Sequence, residues 1–272
     1  TQLSLWEERH VAEHKRLVGA IHEEGCLAGA QIYHAGRQAS EAITGLDPLA
    51  PTAMPCAILS NHPKEITTEQ MEEIREKFVR SARYAVEAGY DLVEVHFAHG
   101  YLLHSFLSTH TNHRTDAYGG SFENRVKYPM EVLEAVIREV GGEVPVQIRV
   151  SVDEYVEDGM HSDEVEKVCL MAVEAGVSAV SLSAGCYDAV EYAIQPMYIP
   201  QGFILPFAER LKAKVSVPVI VAARLNSAQL IEEAVECGRA DIVAIGRGLI
   251  AAPQLLRKIE RHDYENIRYC IA

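Results

Sequence analysis

Short apolar runs alternate along the chain with longer amphipathic stretches. Each apolar run is rich in Val, Ile and Ala and is bounded by Gly or Pro, which predicts a strand. The six predicted strands are LAGAQIYHA (27–35), DLVEVHF (91–97), VPVQIRVS (144–151), VSAVSLSA (177–184), VPVIVAA (217–223) and ADIVAIG (240–246). Nearly continuous apolar strands that alternate with helices indicate a parallel sheet covered by helices, which is the α/β class.

The stretches between the strands are predicted helices. In the longest one, residues 68–89, Thr67 or Thr68 can cap the start, and Gly89 lies where the helix should end. Residues 163–176 and 227–238 repeat the pattern. The apolar positions of the longest helix follow helical spacing, at Met71, Ile74, Phe78, Ala82, Ala85 and Val86.

Two folds fit this alternation, an open doubly wound sheet and a closed barrel. No G-x-G-x-x-G motif follows the first strand, which disfavours a dinucleotide-binding open sheet. A (β/α)₈ TIM barrel in one domain over residues 1–272 fits if two βα units lie upstream of Thr1, so that strands three to eight are present and the first two βα units are missing. The segment 36–66 is long, Pro-rich and unperiodic, and is predicted to be a functional loop.

Composition narrows the possible partners and the compartment. The chain has 39 acidic and 25 basic residues, a net charge of −14, which disfavours nucleic acid as a partner. No apolar run approaches the roughly 20 residues that span a bilayer, so no membrane association is expected. The six cysteines are scattered without a C-x-x-C pair, which favours a reducing, cytoplasmic location.

One predicted strand carries a charged residue on the face that should point into the barrel. In VPVQIRVS, the apolar residues at 146, 148 and 150 share one face, and Gln147 and Arg149 share the other. A buried guanidinium is costly unless it is paired. Arg149 therefore either forms a structural ion pair with Glu94 or binds an anionic ligand at the carboxyl end of the strands, where barrel enzymes place their active sites.

Two later stretches, VAARLNSAQL (221–230) and VAIGRGLIAAP (243–253), both run from a strand through small residues and Arg into a helix. Small residues let backbone N–H groups approach a phosphate, and the turns after strands seven and eight form the usual barrel phosphate site. Ala223, Arg224, Gly246 and Arg247 are the candidates. The alternative is a pair of ordinary turns with solvent-facing arginines.

The stretch VEVHFAHGYLLHSFLS (93–108) places His96, His99 and Tyr101 where a strand ends. Metal binding is one interpretation, although no third ligand of zinc type is fixed nearby. In the other, imidazole N–H groups polarise a carbonyl oxygen and the phenol donates a proton. This second set of roles suits addition of hydrogen to an activated double bond.

Several stretches together resemble the old yellow enzyme family of flavin-dependent ene-reductases. They are AQIYHAGRQA, VEVHFAHGYLLHSFLS, NHRTDAYGGSFENRVKYPMEVLEAVIREVG, VQIRVS and DIVAIGRGLIAAP, in order over nearly the whole chain. The run NHRTDAYGGSFENR (112–125) is highly specific. The resemblance implies an eight-stranded barrel that holds FMN at the carboxyl ends of its strands.

The resemblance also implies roles for single residues. Gln31 would hydrogen-bond the flavin pyrimidine ring, and Arg149 would lie beside the flavin N1/C2=O region. Arg224, Gly246 and Arg247 would bind the phosphate, although Ala222 and Ala223 stand where Gly is usual in the first turn.

In the implied reaction, NAD(P)H reduces FMN and the hydride then passes to the β-carbon of an α,β-unsaturated carbonyl or carboxylate compound. His96 and His99 would hold the substrate oxygen, and Tyr101 would protonate the α-carbon. The first alternative is a flavin-independent lyase or isomerase acting on a phosphorylated substrate. A fragment without catalytic activity is the second.

The chain is most similar in type to the 2,4-dienoyl-CoA and 2-enoate reductase subgroup. In that subgroup Cys270 would be the first ligand of a [4Fe–4S] cluster, in a longer chain with an FAD/NAD(P)-binding region beyond residue 272. A single Cys cannot bind a cluster, so none is expected within this chain. A His that follows strand six in dienoyl-CoA reductases is absent here, so the identity of the substrate stays open. Assembly into a homo-oligomer is also left open by the sequence.

Overall fold

The computed structural model describes residues 3–59 and 61–271 and is built around a six-stranded parallel sheet. A separate pair of short parallel strands consists of β2 (Leu49–Ala50) and β3 (Lys64–Glu65). The main sheet has the order β1-β4-β5-β6-β7-β8. Its strands are β1 (Gly29–Ile32), β4 (Leu92–Phe97), β5 (Val146–Ser151), β6 (Ala179–Ser183), β7 (Val219–Val221) and β8 (Ile242–Val243).

All six predicted strands are present, and each follows its predecessor in the sheet, as successive strands of a barrel do. The α/β prediction with a parallel sheet is therefore confirmed. The last two strands are shorter than predicted. Among the described residues β8 has a strand neighbour on one side only, and Ile242 remains 49% exposed. The short length of β8 is consistent with this scarcity of neighbours to pair with and pack against.

Eleven α-helices lie in the described residues, and none of them is long and apolar enough to cross a membrane. Four short 3₁₀ helices span Glu8–His10, Gly36–Gln38, Tyr187–Ala189 and Tyr264–Asn266. The α-helices are α1 (Val11–Glu23), α2 (Glu41–Thr44), α3 (Thr68–Ala88), α4 (Leu102–Leu107), α5 (Phe122–Val140), α6 (Ser162–Ala175), α7 (Val190–Ala193), α8 (Leu205–Lys212), α9 (Ala228–Glu236), α10 (Arg247–Ala251) and α11 (Leu255–Glu260).

Helix α3 shows how local sequence sets an element. The Thr67 side chain accepts a hydrogen bond from the Gln70 backbone N–H, and the Gln70 side chain accepts one from the Thr67 N–H, which forms a capping box. Gly89 ends the helix at a φ of 90°, a conformation that glycine adopts without steric cost. The apolar face predicted from the spacing is buried against the core, with Met71, Ile74 and Phe78 among its residues.

The two faces of the sheet differ as the strand alternation predicts. On one face Val93, Val95, Ile148 and Val150 are fully buried in the hydrophobic core. On the opposite face Glu94 lies beside Gln147, and His96 lies beside Arg149, in the parallel register of β4 and β5. The polar residues therefore collect on the inner face, at the carboxyl ends of the strands.

The segment 36–66 is more ordered than its irregular sequence suggests. It contains the 3₁₀ helix Gly36–Gln38, the helix α2 and the small sheet of β2 and β3. Its Arg37 has 0% exposure. The segment is thus anchored into the protein beside the carboxyl ends of the main strands, because a buried guanidinium needs fixed partners.

Candidate active site

The chain turns sharply after β4. His99 has a φ of 62°, in the left-handed region that residues other than glycine seldom adopt, and Gly100 follows with a φ of 77°. The His99 backbone N–H donates to Ser151 Oγ at 3.1 Å, and the Gln38 side-chain amide donates to the His99 carbonyl at 2.7 Å. Hydrogen bonds from both sides therefore hold this turn, which directs the His99 ring back over the sheet.

The two imidazoles form a hydrogen-bonded chain. His96 Nδ1 accepts from the Ala98 backbone N–H at 3.3 Å, so the proton of His96 is on Nε2. His96 Nε2 lies 3.2 Å from His99 Nδ1, and His99 Nε2 lies 2.7 Å from Ser183 Oγ. Since His96 donates from Nε2, His99 accepts at Nδ1 and donates from Nε2 to Ser183.

Both imidazoles are neutral near pH 7. Burial, followed by the nearby charge of Arg149, lowers the pKa of His96 from 6.5 to about 3. Burial and the neighbouring His96 hold the pKa of His99 well below its usual range. Each ring therefore has one N–H to donate, and neither acts as a cation.

Tyr101 completes the cluster. It precedes α4, and its hydroxyl lies 3.2 Å from the hydroxyl of Tyr187. Its ring centroid is 5.1 Å from that of His96 and 4.7 Å from that of Tyr33. Burial, and then the hydrogen bond with Tyr187, raises the pKa of Tyr101 above its ordinary value, so the phenol keeps its proton at neutral pH.

The three residues predicted to be catalytic thus converge in one place. We call His96, His99, Tyr101 and Ser183 the histidine corner.

Arg149 lies next to the histidine corner. Its Nη2 donates to Ser183 Oγ at 3.2 Å, and burial lowers the pKa of Arg149 while the charge of Glu94 opposes that effect. The Glu94 carboxylate instead accepts hydrogen bonds from Gln31 at 2.5 Å and from Gln147 at 2.6 Å. No ion pair involves Arg149 within residues 3–59 and 61–271. The structural ion pair with Glu94, one of the two interpretations of this residue, is therefore not observed.

A cavity of about 280 Å³ opens beside Arg149. It is lined by Arg149, Ser183, residues 193–195, residues 222–226, residues 244–248 and Cys270. We call it the arginine cavity, because Arg149, Arg224 and Arg247 all border it. Five of the six residues predicted to bind a cofactor line it, namely Arg149, Ala223, Arg224, Gly246 and Arg247, while Gln31 lies on β1 with its side chain on Glu94.

The two later arginines are half-buried and hydrogen-bonded to the backbone. Arg224 has a φ of 52° and donates to the backbone carbonyls of Met197, at 3.1 Å, and Ile199. Arg247 donates to the carbonyl of Gln195 at 2.9 Å. Both guanidiniums therefore pack against the segment 195–199 that follows α7, which favours ordered, ligand-facing turns over the alternative of ordinary turns with solvent-facing arginines.

The arginine cavity has the features that FMN would require. Three guanidiniums supply positive charge for a phosphate and for an electron-rich ring. A Cβ added at Gly246 would meet nothing within 4 Å, so the backbone there borders open space that a ligand can approach. The buried Oδ1 of Asn226 lacks a donor among the described residues, so it is free to accept a hydrogen bond from a hydroxyl or N–H of a ligand, not from its phosphate. The residues present therefore fit a phosphate-bearing cofactor.

The metal interpretation of the histidines finds no ligand set. No group of three or more His, Cys, Asp and Glu side chains in the described part of the chain is placed to hold an ion. Three site residues were not found from the sequence, Ser183, Tyr187 and Tyr33. The alternation of Ser181 and Ser183 along β6 was a usable signal for the first, whereas the two tyrosines depend on contacts between distant segments.

The fold and these two sites define a barrel-type α/β protein with its polar groups at the carboxyl ends of parallel strands. The model of the NADH:flavin oxidoreductase / NADH oxidase family matches residues 1–266. The chain belongs to this family, which confirms the resemblance to old yellow enzymes.

Relatives and solved structures agree with this membership. The chain is 40% identical over 272 residues to an NADH oxidase of Thermoanaerobacter brockii, with 100% of this chain and 42% of that protein covered. It is 35% identical over 253 residues to a cinnamate reductase of Clostridium sporogenes, with 87% and 38% covered. A solved complex of 2-naphthoyl-CoA reductase with 2-naphthoyl-CoA matches with a TM-score of 0.93 and 32% identity, over 99% of this chain and 43% of that one. The chain thus spans roughly two fifths of the length of these proteins.

Proposed function

We propose that this protein is an FMN-dependent oxidoreductase that uses NAD(P)H to reduce the activated C=C bond of an α,β-unsaturated carbonyl or carboxylate compound. The observation that carries the proposal is the histidine corner itself, with two neutral imidazoles and a protonated phenol beside a cavity bordered by three guanidiniums. Family membership supports the flavin, and relatives named as reductases support the type of acceptor.

Arg149, Arg224, Arg247 and the backbone around Ala223 and Gly246 would hold the cofactor in the arginine cavity. FMN, when bound, supplies the hydride transfer between NAD(P)H and the substrate. Arg149 contributes positive charge deep in the cavity, where solvent is scarce and a charge acts strongly. Gln31 is assigned to the edge of the same ring, by resemblance and by its position on the inner face.

The hydrogen-bond chain identifies which imidazole proton is easiest to offer to a substrate oxygen. If His96 Nε2–H turned to a substrate, His99 Nδ1 would lose its donor. If His99 Nε2–H did so, Ser183 Oγ would still accept from Arg149. Exchanging the hydrogen bond from His99 to Ser183 for one to the substrate therefore leaves fewer polar groups without a partner, and it costs less free energy. His99 Nε2–H is thus the first donor to the substrate carbonyl or carboxylate oxygen, and His96 fixes its tautomer.

Tyr101 is assigned the proton that completes the reduction. Its phenol remains protonated at neutral pH because burial disfavours the phenolate. Proton donation to the α-carbon of a substrate held by His99 is the role that fits this state and this position.

The substrate, the coenzyme and the additional cofactors of this protein are part of the proposal as well. Its relatives' names include cinnamate reductase and 2-naphthoyl-CoA reductase, so an aryl-substituted enoate or its thioester is the first class to test. Cys270 lines the arginine cavity, and its carbonyl accepts a hydrogen bond from Asn226. Its assignment as a first [4Fe–4S] ligand, with FAD in a following region, remains part of the proposal.

The test is direct. The purified protein is loaded with FMN, reduced anaerobically with NADH or NADPH, and mixed with cinnamate, an enoyl thioester or a cyclic enone. We expect the flavin absorbance to bleach with a nicotinamide and to return with at least one of these acceptors. A protein that takes up no FMN, or that shows no flavin bleaching, would overturn the proposal.

A further inference from the structure

In the part of the chain that the structure describes, the hydroxyl of Tyr187 is the one that hydrogen-bonds the hydroxyl of Tyr101. The two oxygens are 3.2 Å apart, and this is the only hydrogen bond of the Tyr187 side chain among the described residues. Its ring centroid lies 5.9 Å from that of Tyr101. Tyr101 is also surrounded by the rings of Tyr33 and His96, neither of which hydrogen-bonds its hydroxyl.

The element that carries Tyr187 is held firmly. The next residue, Asp188, forms an ion pair with the buried Arg37, and its other oxygen accepts from the Ala57 backbone N–H at 3.3 Å. Arg37 in turn donates to the Pro55 carbonyl at 2.9 Å. On the other side, Cys186 pairs with His99 in an isolated parallel bridge. The position of the Tyr187 hydroxyl is therefore fixed from both the segment 36–66 and the histidine corner.

Proton donation by Tyr101 creates a chemical problem that this contact can solve. When its O–H bond breaks, a phenolate forms in a partly buried site between two aromatic rings. An unpaired charge there is costly, because little water can solvate it. A hydroxyl within hydrogen-bond distance of the phenolate oxygen can donate to it and stabilise that charge as it develops.

We propose that Tyr187 is the proton-relay and positioning partner of Tyr101. This inference rests on the proposed function. As the α-carbon of the substrate gains a C–H bond, the Tyr101 O–H bond breaks. The Tyr187 hydroxyl then gives its proton to the Tyr101 oxygen, and a solvent water restores the proton of Tyr187. No electrons move in this sequence beyond the two of the hydride, and each proton lost by one oxygen is gained by the next atom.

The experiment uses the FMN-loaded, full-length protein with Tyr187→Phe, Tyr101→Phe, the double variant and Tyr198→Phe. Tyr198 is exposed and lies outside the histidine corner, which makes it a control for the loss of a tyrosine hydroxyl. Removal of a proton relay should slow the enone-driven oxidation of reduced flavin by about 10- to 100-fold. The rate of flavin reduction by NAD(P)H, the substrate KM and the thermal midpoint should stay near those of the wild type.

Two further readouts separate a relay from a structural role. The solvent isotope effect on the oxidative half-reaction should change in Tyr187→Phe and not in Tyr198→Phe. The double variant should be no slower than Tyr101→Phe alone, because a relay acts only through Tyr101.

Additive losses, a raised KM with an unchanged rate, or wild-type kinetics in Tyr187→Phe would each overturn the relay. A wild-type protein whose reduced flavin reacts with no enone would instead overturn the proposed function, and the relay with it.

Discussion

The histidine corner and the arginine cavity share an edge at Arg149 but are built in opposite ways. The histidine corner lies at the ends of β4, β5 and β6, which have six, six and five residues. The arginine cavity lies at the ends of β7 and β8, which have three and two. The long central strands hold the side chains of the histidine corner in fixed positions. The short strands are followed by small residues, which leave the backbone of the arginine cavity open to a ligand.

The polar groups of the two regions differ accordingly. In the histidine corner the side chains satisfy one another through the chain from His96 to Ser183. In the arginine cavity Arg224 and Arg247 bind only backbone carbonyls, and Asn226 Oδ1 has no partner among the described residues. The first region is organised in advance for chemistry, and the second keeps binding capacity for a ligand. The following variants test that division.

The largest effect is expected at Tyr101. Tyr101→Phe removes the proton donor of the histidine corner and leaves the arginine cavity intact. The oxidation of reduced flavin by an enone should fall by about 100- to 10,000-fold, while reduction by NAD(P)H stays near normal. Rapid-mixing measurement of the two half-reactions separates these outcomes. If Tyr101→Phe slowed both half-reactions equally, the assignment of chemistry to the histidine corner and of cofactor binding to the arginine cavity would be contradicted.

The next largest effect is expected at Arg149, which lines the arginine cavity and donates to Ser183 of the histidine corner. Arg149→Met should weaken FMN binding about 10- to 150-fold, the loss expected for a charged hydrogen bond. The cofactor-free protein should be as stable as the wild type or more so, because Met removes a largely buried charge whose one side-chain hydrogen bond among the described residues is to a serine hydroxyl. FMN titration and urea denaturation measure the two quantities. If Arg149→Met instead lowered the free energy of unfolding by about 3–5 kcal/mol, the result would support the interpretation that Arg149 forms a structural ion pair with Glu94.

Arg247 belongs to the arginine cavity alone. Arg247→Ala should weaken FMN binding about tenfold, and the oxidative half-reaction of the fully loaded variant should match that of the wild type. Riboflavin, which lacks the phosphate, provides the control ligand, since its affinity should be unchanged. If riboflavin binding fell as much as FMN binding, Arg247 would act on the cavity shape and not on the phosphate.

The smallest effect concerns pH. The pKa of His96 is about 3 in the folded protein and near 6.5 when exposed, so the unfolded chain binds more protons between these values and stability falls as the pH falls. His96→Gln should reduce this slope by about 1.4 kcal/mol per pH unit. Urea denaturation between pH 4 and 6.5 measures it. The exposed His113, changed to Gln, is the control, and equal slopes in all three proteins would show that His96 is not buried as described.

Most of the fold was predictable because strands and helices leave periodic patterns. The six apolar runs contain the six strands of the main sheet, and Thr67 and Gly89 bound α3 as the capping rules require. The alternation in VPVQIRVS placed Gln147 and Arg149 on the inner face. The segment 36–66 was less predictable, since its short elements are stabilised by contacts such as that of Arg37 with Asp188 and not by local periodicity.

The sequence by itself determined which segments form the strands of the sheet and which of their residues face inward. It also determined that imidazole, phenol and guanidinium groups collect at the carboxyl ends of the strands. Tertiary structure alone decided the partners: Glu94 binds two glutamines and not Arg149, the imidazole chain ends on Ser183, and Tyr187 meets Tyr101 across 86 positions of sequence. The reason is physical. Periodicity is set by residues two to four positions apart, whereas a hydrogen bond between distant segments depends on packing that brings both groups within about 3 Å.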